Sequence, residues 1–97
     1  MIDALYDKIT PAAFNDLQKA IDYYNEQQKG LGKKFNNAIK LMFSQLKKVP
    51  ASGSFIYDTV RYRVLKRFPY IIIYELIDNT TIAVYRIFNT SRNPYWQ

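Results

Sequence analysis

The apolar residues of this chain recur with the period of a helix up to about residue 50 and with the period of a strand from Ser54 onward. That switch constrains the fold more than any other feature, because one periodicity cannot serve both kinds of element. Thr10-Pro11 opens the first helix: Thr is a preferred N-cap, and Pro at the first helical position loses no needed donor. Ala13, Phe14, Leu17, Ala20, Ile21 and Tyr24 then form one face of a helix running to about Gln28. Gly30-Leu31-Gly32 interrupts it. A second helix is predicted from about Lys33 to Val49, with Phe35, Ala38, Ile39, Met42, Phe43, Leu46 and Val49 as its stripe. Lys33, Lys34, Lys40, Lys47 and Lys48 mostly avoid that stripe, and Pro50 pushes the residue before it out of helical geometry. Two amphipathic helices joined by a short Gly-containing loop make an αα-hairpin.

Beyond Ser54 the alternation of Val60, Tyr62 and Val64 against Arg61, Arg63 and Leu65 predicts a strand over Thr59 to Phe68. Phe68-Pro69 ends it, since Pro cannot donate to a ladder. Tyr70 to Ile77 is almost entirely apolar and β-branched, the composition of a central strand. Asp78-Asn79-Thr80 is a turn, and Thr81 to Phe88 is the next strand. The first nine residues, with Ile2, Leu5, Tyr6 and Ile9, read equally as a weak edge strand or a short helix. The expected fold is α+β: a two-helix hairpin packed on one face of a mostly antiparallel sheet of three to four strands. Its 97 residues form one domain, without repeats or linkers.

Composition removes most enzyme classes. The sequence has no Cys and no His. Disulfides, thiolate catalysis, cysteine-ligated metal sites, Ser-His-Asp triads and imidazole bases are all excluded. Paired carboxylates, a Gly-rich phosphate loop and a metal-ligand cluster are also missing, so no cofactor is expected. The longest apolar runs, such as Ile71-Ile72-Ile73, fall far short of the roughly 18–20 residues that span a bilayer. The start, MIDALYDKIT, is too acidic for a signal peptide, so a cytoplasmic protein with no membrane partner is expected.

Charge is more informative. The net charge is +6, yet residues 1–28 carry five acids against Lys8 and Lys19, for −3, while residues 29–97 carry twelve bases against Asp58, Glu75 and Asp78, for +9. Such asymmetry suits a polyanion or an acidic protein as partner. Arg61 and Arg63 lie two apart on one strand and project from one face, with Arg67 continuing the row beyond Leu65. Side-by-side guanidinium groups offer planar forks of donors that make a natural phosphate-binding surface. The plain alternative is a solvated sheet face opposite the helices. Arg86 shares its side with Ile82, Val84 and Phe88, which favours internal pairing with Glu75 or Asp58. Near the end, Arg92 beside Tyr95 and Trp96 can bind phosphate and stack on a base, with Trp96 expected to cover the core edge.

Taken in order, these residues resemble the RelE/ParE toxins of bacterial type II toxin–antitoxin systems. The resemblance runs from about Ile9 to Trp96. It is carried by Ala13-Phe14-Asn15-Asp16-Leu17, Tyr23-Tyr24 with Gln27 or Gln28, Gly30-Leu31-Gly32 with Phe35, and Val60-Arg61. Phe68-Pro69-Tyr70-Ile71-Ile72-Ile73-Tyr74 and Ile87-Phe88-Asn89-Thr90-Ser91-Arg92-Asn93-Pro94 with Trp96 complete it. It implies the fold already reached from periodicity. It also implies a toxin held inactive in a heteromeric complex by a cognate antitoxin whose acidic or amphipathic tail wraps the basic chain.

Two targets follow from the resemblance, DNA gyrase and the ribosome with its mRNA. RelE-type members cut mRNA in the ribosomal A site with basic sheet residues and a late tyrosine. On that pattern Arg61, Arg63, Arg92 and Tyr95 would be catalytic. Such nucleases also carry an arginine in a Tyr-Arg-Leu-Val-Tyr-like run, where this sequence has Ile71 within Tyr70-Ile71-Ile72-Ile73-Tyr74. Some members have a histidine where Asn89 stands. ParE-type members block gyrase without chemistry of their own, and the Phe-Pro-Tyr hairpin and Gly-Leu-Gly turn are more ParE-like. On that pattern Arg61, Arg63, Arg67, Arg92 and Tyr95 would form a binding surface. A degenerate member that still binds an antitoxin is the third expectation.

Overall fold

Thr10 starts the helical layer as expected. In the computed structural model, which describes residues 6–91, its hydroxyl accepts the Ala13 amide at 3.1 Å and Pro11 takes the first helical position. Helix α1 spans Pro11–Gln27 and α2 spans Leu31–Lys48. Gly30 joins them at φ +86°, the left-handed geometry that a glycine adopts without Cβ strain. Gly32 lies inside the first turn of α2 rather than in the linker. Its amide donates to Asn25 Oδ1 at 2.9 Å, and a Cβ there would meet the Asn25 carboxamide at 2.7 Å. Of the predicted stripes, Phe14 and Val49 are exposed and the remainder is buried or half-buried.

The sheet has five strands, β1 (Tyr6–Ile9), β2 (Ser54–Tyr57), β3 (Val60–Val64), β4 (Tyr70–Ile77) and β5 (Thr81–Asn89), in the order β1-β5-β4-β3-β2. It therefore exceeds the three to four strands expected. Of the first nine residues, Tyr6–Ile9 form an edge strand parallel to β5; Ile2 and Leu5 lie outside the described residues. The remaining pairs are antiparallel, joined as consecutive hairpins. The unforeseen member is β2, which hairpins into β3 through Asp58 at φ +45°. Strand β3 is shorter than predicted. Leu65 turns inward and the chain crosses to β4 through Lys66–Pro69, with the Leu65 amide bonded to the Tyr70 carbonyl at 3.0 Å.

Both helices lie on one face of the sheet. Ile39, Leu46, Ile72, Tyr74, Ile82 and Val84 are fully buried between the layers. At one end, Tyr24, Phe35, Phe68 and Tyr70 form an aromatic cluster with ring centroids 4.8–6.2 Å apart, locking the helix hairpin to the β3–β4 connection. A bulge at Tyr85 shifts the register, so that Ile73 faces Arg86 while Tyr74 faces Val84. Ile82 and Val84 thus point to the helices before the bulge, and Ile87 does so after it.

Candidate functional site

The alternation on β3 places Arg61 opposite Tyr74 and Arg63 opposite Ile72, both of which are buried toward the helices. The arginine row is therefore on the helix side of the sheet, beside the C-terminal end of α2, where Arg63 reaches Gln45. It is not a solvated face opposite the helices. Both side chains are half-buried rather than fully exposed.

What occupies that end is a 3-10 turn, Pro50–Ser52, leading through Gly53 into β2. The hydroxyl of Tyr74, fully buried, donates to the Pro50 carbonyl at 2.7 Å and accepts the Gly53 amide at 3.0 Å. A Cβ on Gly53 would meet that hydroxyl at 2.5 Å and the Tyr62 carbonyl oxygen at 2.6 Å, so glycine is required by close approach. Arg61 donates from one terminal nitrogen to the carbonyls of Ala51 and Gly53, at 3.1 and 2.8 Å. Its guanidinium carbon lies 3.8 Å from the ring centre of Phe55. Arg63 donates to Ser52 Oγ at 2.6 Å and to Gln45 Oε1 of α2 at 3.3 Å. Arg61 is thus a fixed cation that braces the turn, while Arg63 bonds to two exchangeable side chains.

Arg67 does not continue the row. It sits on the β3–β4 connection, exposed and without a side-chain partner among the described residues. Arg63 and Arg67 nevertheless meet along one groove of about 800 Å³ between α2 and that connection, which Lys34 and Lys66 also line. Arg92, Tyr95 and Trp96 lie outside the described residues.

Arg86 pairs internally as expected, but with neither expected partner. Its Nε and terminal nitrogen donate to the two oxygens of Asp16 on α1, at 2.7 and 2.9 Å. The carboxylate, as the dominant cause, raises the arginine's pKa further. Glu75 instead accepts from Thr59 Oγ1 and from the Tyr85 hydroxyl on the far face. Those two bonds, Thr59 first, hold the Glu75 carboxyl below its ordinary range, and Glu75 in turn raises the Tyr85 phenol.

Ile71, at the place where the resemblance puts an arginine in the nucleases, is only 2% exposed and stands between Val64 and Phe88 in the sheet. No group of three or more potential metal-binding side chains occurs among the described residues.

With this geometry in view, the sequence matches the profile of the ParE toxin of type II toxin–antitoxin systems over residues 8–94. The chain belongs to the ParE toxin family. None of the curated proteins matches it. Solved structures share the ParE-family fold. A chain of the chromosomal ParDE system from P. aeruginosa superposes with TM-score 0.77 at 22% identity, over 90% of this chain and 97% of that one. The isolated E. coli RelE toxin gives 0.69 at 14% identity, over 96% and 92% of the two chains. A chain of the intact E. coli RelBE complex gives 0.70 at 15%, over 92% and 100%. The α+β architecture is thus common to ParE and RelE proteins. No helix among the described residues is long and apolar enough to cross a membrane.

Proposed function

We propose that this ParE-family toxin is cytoplasmic, is held inactive by a cognate antitoxin, and acts by binding DNA gyrase without chemistry of its own. The observation that carries the choice of target is Ile71. An arginine at that place in a nuclease would stabilise the charge that develops in the cleavage transition state, an effect worth several kcal/mol. A buried isoleucine has no charge to offer. Arg61 supports the same reading, because one of its terminal nitrogens is held by the carbonyls of Ala51 and Gly53. Arg63 and Arg67 then serve as a binding surface for an acidic region of the target, and Arg92 and Tyr95 join them on the family pattern.

The assay is supercoiling of relaxed plasmid by purified gyrase in the presence of the purified chain. Inhibition that is relieved by the antitoxin is the expected result. Arg63→Ala and Arg67→Ala should each weaken it roughly three- to tenfold, on the order of 1 kcal/mol apiece. The RelE-like reading, a ribosome-dependent endoribonuclease, draws on Arg61 and Arg63 sharing one face. Translation-dependent mRNA cuts in phase with codons, with supercoiling unchanged, would establish it instead. Normal growth after verified soluble expression of the chain alone would mark a degenerate, non-toxic member.

A further inference from the structure

Strand β4 buries side chains on both of its faces. Ile72 and Tyr74 belong to the core beneath the helices, so alternation turns Ile71 and Ile73 to the far face. Ile71 is nevertheless 2% exposed there, although it is not part of the helix-side core. Its neighbours in register do not account for that: Val64 on β3 is 58% exposed, and Phe88 on β5 is only half-buried. Both helices pack on the opposite face, and Lys66, Arg67 and Phe68 bend toward α2. Neighbouring strands shield the sides of an isoleucine but leave its outer end open, so a further stretch of chain has to lie over Ile71.

Reach decides which stretch that is. Residues 1–5 enter the sheet at Tyr6, beside Thr81, at the opposite end of β5 from Phe88. That end is roughly 20 Å from Ile71 along the strands, and five extended residues span only about 17 Å. Residues 92–97 start from the right corner. The chain turns as soon as β5 ends: the Thr90 amide donates to the Pro69 carbonyl at 2.8 Å, and Asn89 Oδ1 accepts the Ser91 amide at 2.9 Å. Asn89 pairs with Tyr70, so this exit lies beside the start of β4, about 5 Å away across one strand spacing. Six extended residues offer roughly 20 Å of reach from there.

We propose that residues 92–97 fold back over the far face of the sheet as a strap, with Trp96 seated on Ile71 between Phe88 and Ile73. In an extended segment Pro94 and Trp96 share one side and Tyr95 takes the other. The strap thus turns its two apolar rings to the isoleucines and leaves the Tyr95 hydroxyl in water. It stands whichever target the toxin takes. It makes the far face a closed surface, which a partner reaches only by displacing Trp96.

The test is a nuclear Overhauser experiment on the full, isotopically labelled chain. Contacts from the Trp96 indole protons to the side chains of Ile71 and Phe88 are the expected result. Trp96 is the single tryptophan, so its fluorescence gives a second readout. Its emission should lie at shorter wavelength than that of the unfolded chain, with a clearly weaker response to acrylamide. Trp96→Ala should lower the thermal midpoint by several degrees, whereas Tyr95→Ala should leave it nearly unchanged. Solvent-like emission without indole contacts to the sheet overturns the strap, as does an unchanged midpoint in Trp96→Ala. Indole contacts to the helix-side core, or contacts to Ile71 from Tyr95 in place of Trp96, overturn the placement. None of these outcomes bears on inhibition of gyrase, so the strap and the toxin reading stand or fall separately.

Discussion

Asp16 takes three donors at once: two from the Arg86 guanidinium, and the Ile87 backbone amide at 3.0 Å. The amide matters more. The Arg86 side chain is 50% exposed, so its ion pair is screened and worth at most about 1 kcal/mol. Losing Asp16 strands a part-buried backbone donor on β5 as well, a cost of about 2 kcal/mol. Denaturant titration should therefore rank Asp16→Ala clearly below Arg86→Ala in stability; equal losses would show that the ion pair alone matters. Glu75 gives a second expectation. Its folded pKa is lowered, so its contribution is present above the unfolded carboxylate value and fades as pH falls through the folded one. The stability difference between wild type and Tyr85→Phe should be largest at neutral pH and shrink in acid. A difference that persists unchanged into acid would sink that assignment. The sequence showed that Arg86 needed an internal partner but not which one. The bulge at Tyr85 reverses the side on which every later residue of β5 projects, and alternation cannot register it.

At the scale of elements, the turn from Pro50 to Gly53 organises the arginine face. Tyr74→Phe removes the acceptor of the Gly53 amide and the donor to the Pro50 carbonyl. An unsatisfied buried pair of this kind costs about 1–3 kcal/mol. Gly53→Ala should cost more, since the added carbon collides with backbone as well as with the tyrosine. Thermal unfolding of both variants checks the order. The helices were legible because capping residues and periodicity agree, Thr10 with its Pro11 above all. Strand β2 was not, because its four residues are all exposed and carry no inside–outside contrast to read. Its turn also uses Asp58 in the left-handed region, where the usual signal is Gly. Lys66–Pro69 likewise breaks an alternation that looked continuous to Phe68, because Leu65 is needed in the core and the chain must turn behind it.

For the molecule as a whole, the division of labour among the arginines is the sharpest expectation. Arg61→Ala should lower the melting temperature, through its loss from the Ala51 and Gly53 carbonyls, in parallel with any loss of toxicity. Arg67→Ala should leave stability within about 0.5 kcal/mol while weakening growth arrest. Measuring both quantities on both variants separates the roles, and a destabilised Arg67 variant would refute the assignment. The basic face was visible in the residues, whereas its distribution between a brace and an open surface depended on a turn that lies ten residues away from Arg61 in sequence. Strand order has a consequence for biosynthesis. The first described strand finds its neighbour in the last, with Tyr6 beside Thr81 and Ile9 beside Val84. During translation the helical hairpin can form from local contacts, but β1 waits with an open edge, and β4 lacks one of its two neighbours, until β5 has emerged. The sheet is completed only by its last strand, so a nascent chain beside the ribosome carries a three-strand fragment with two open edges until β5 has been made.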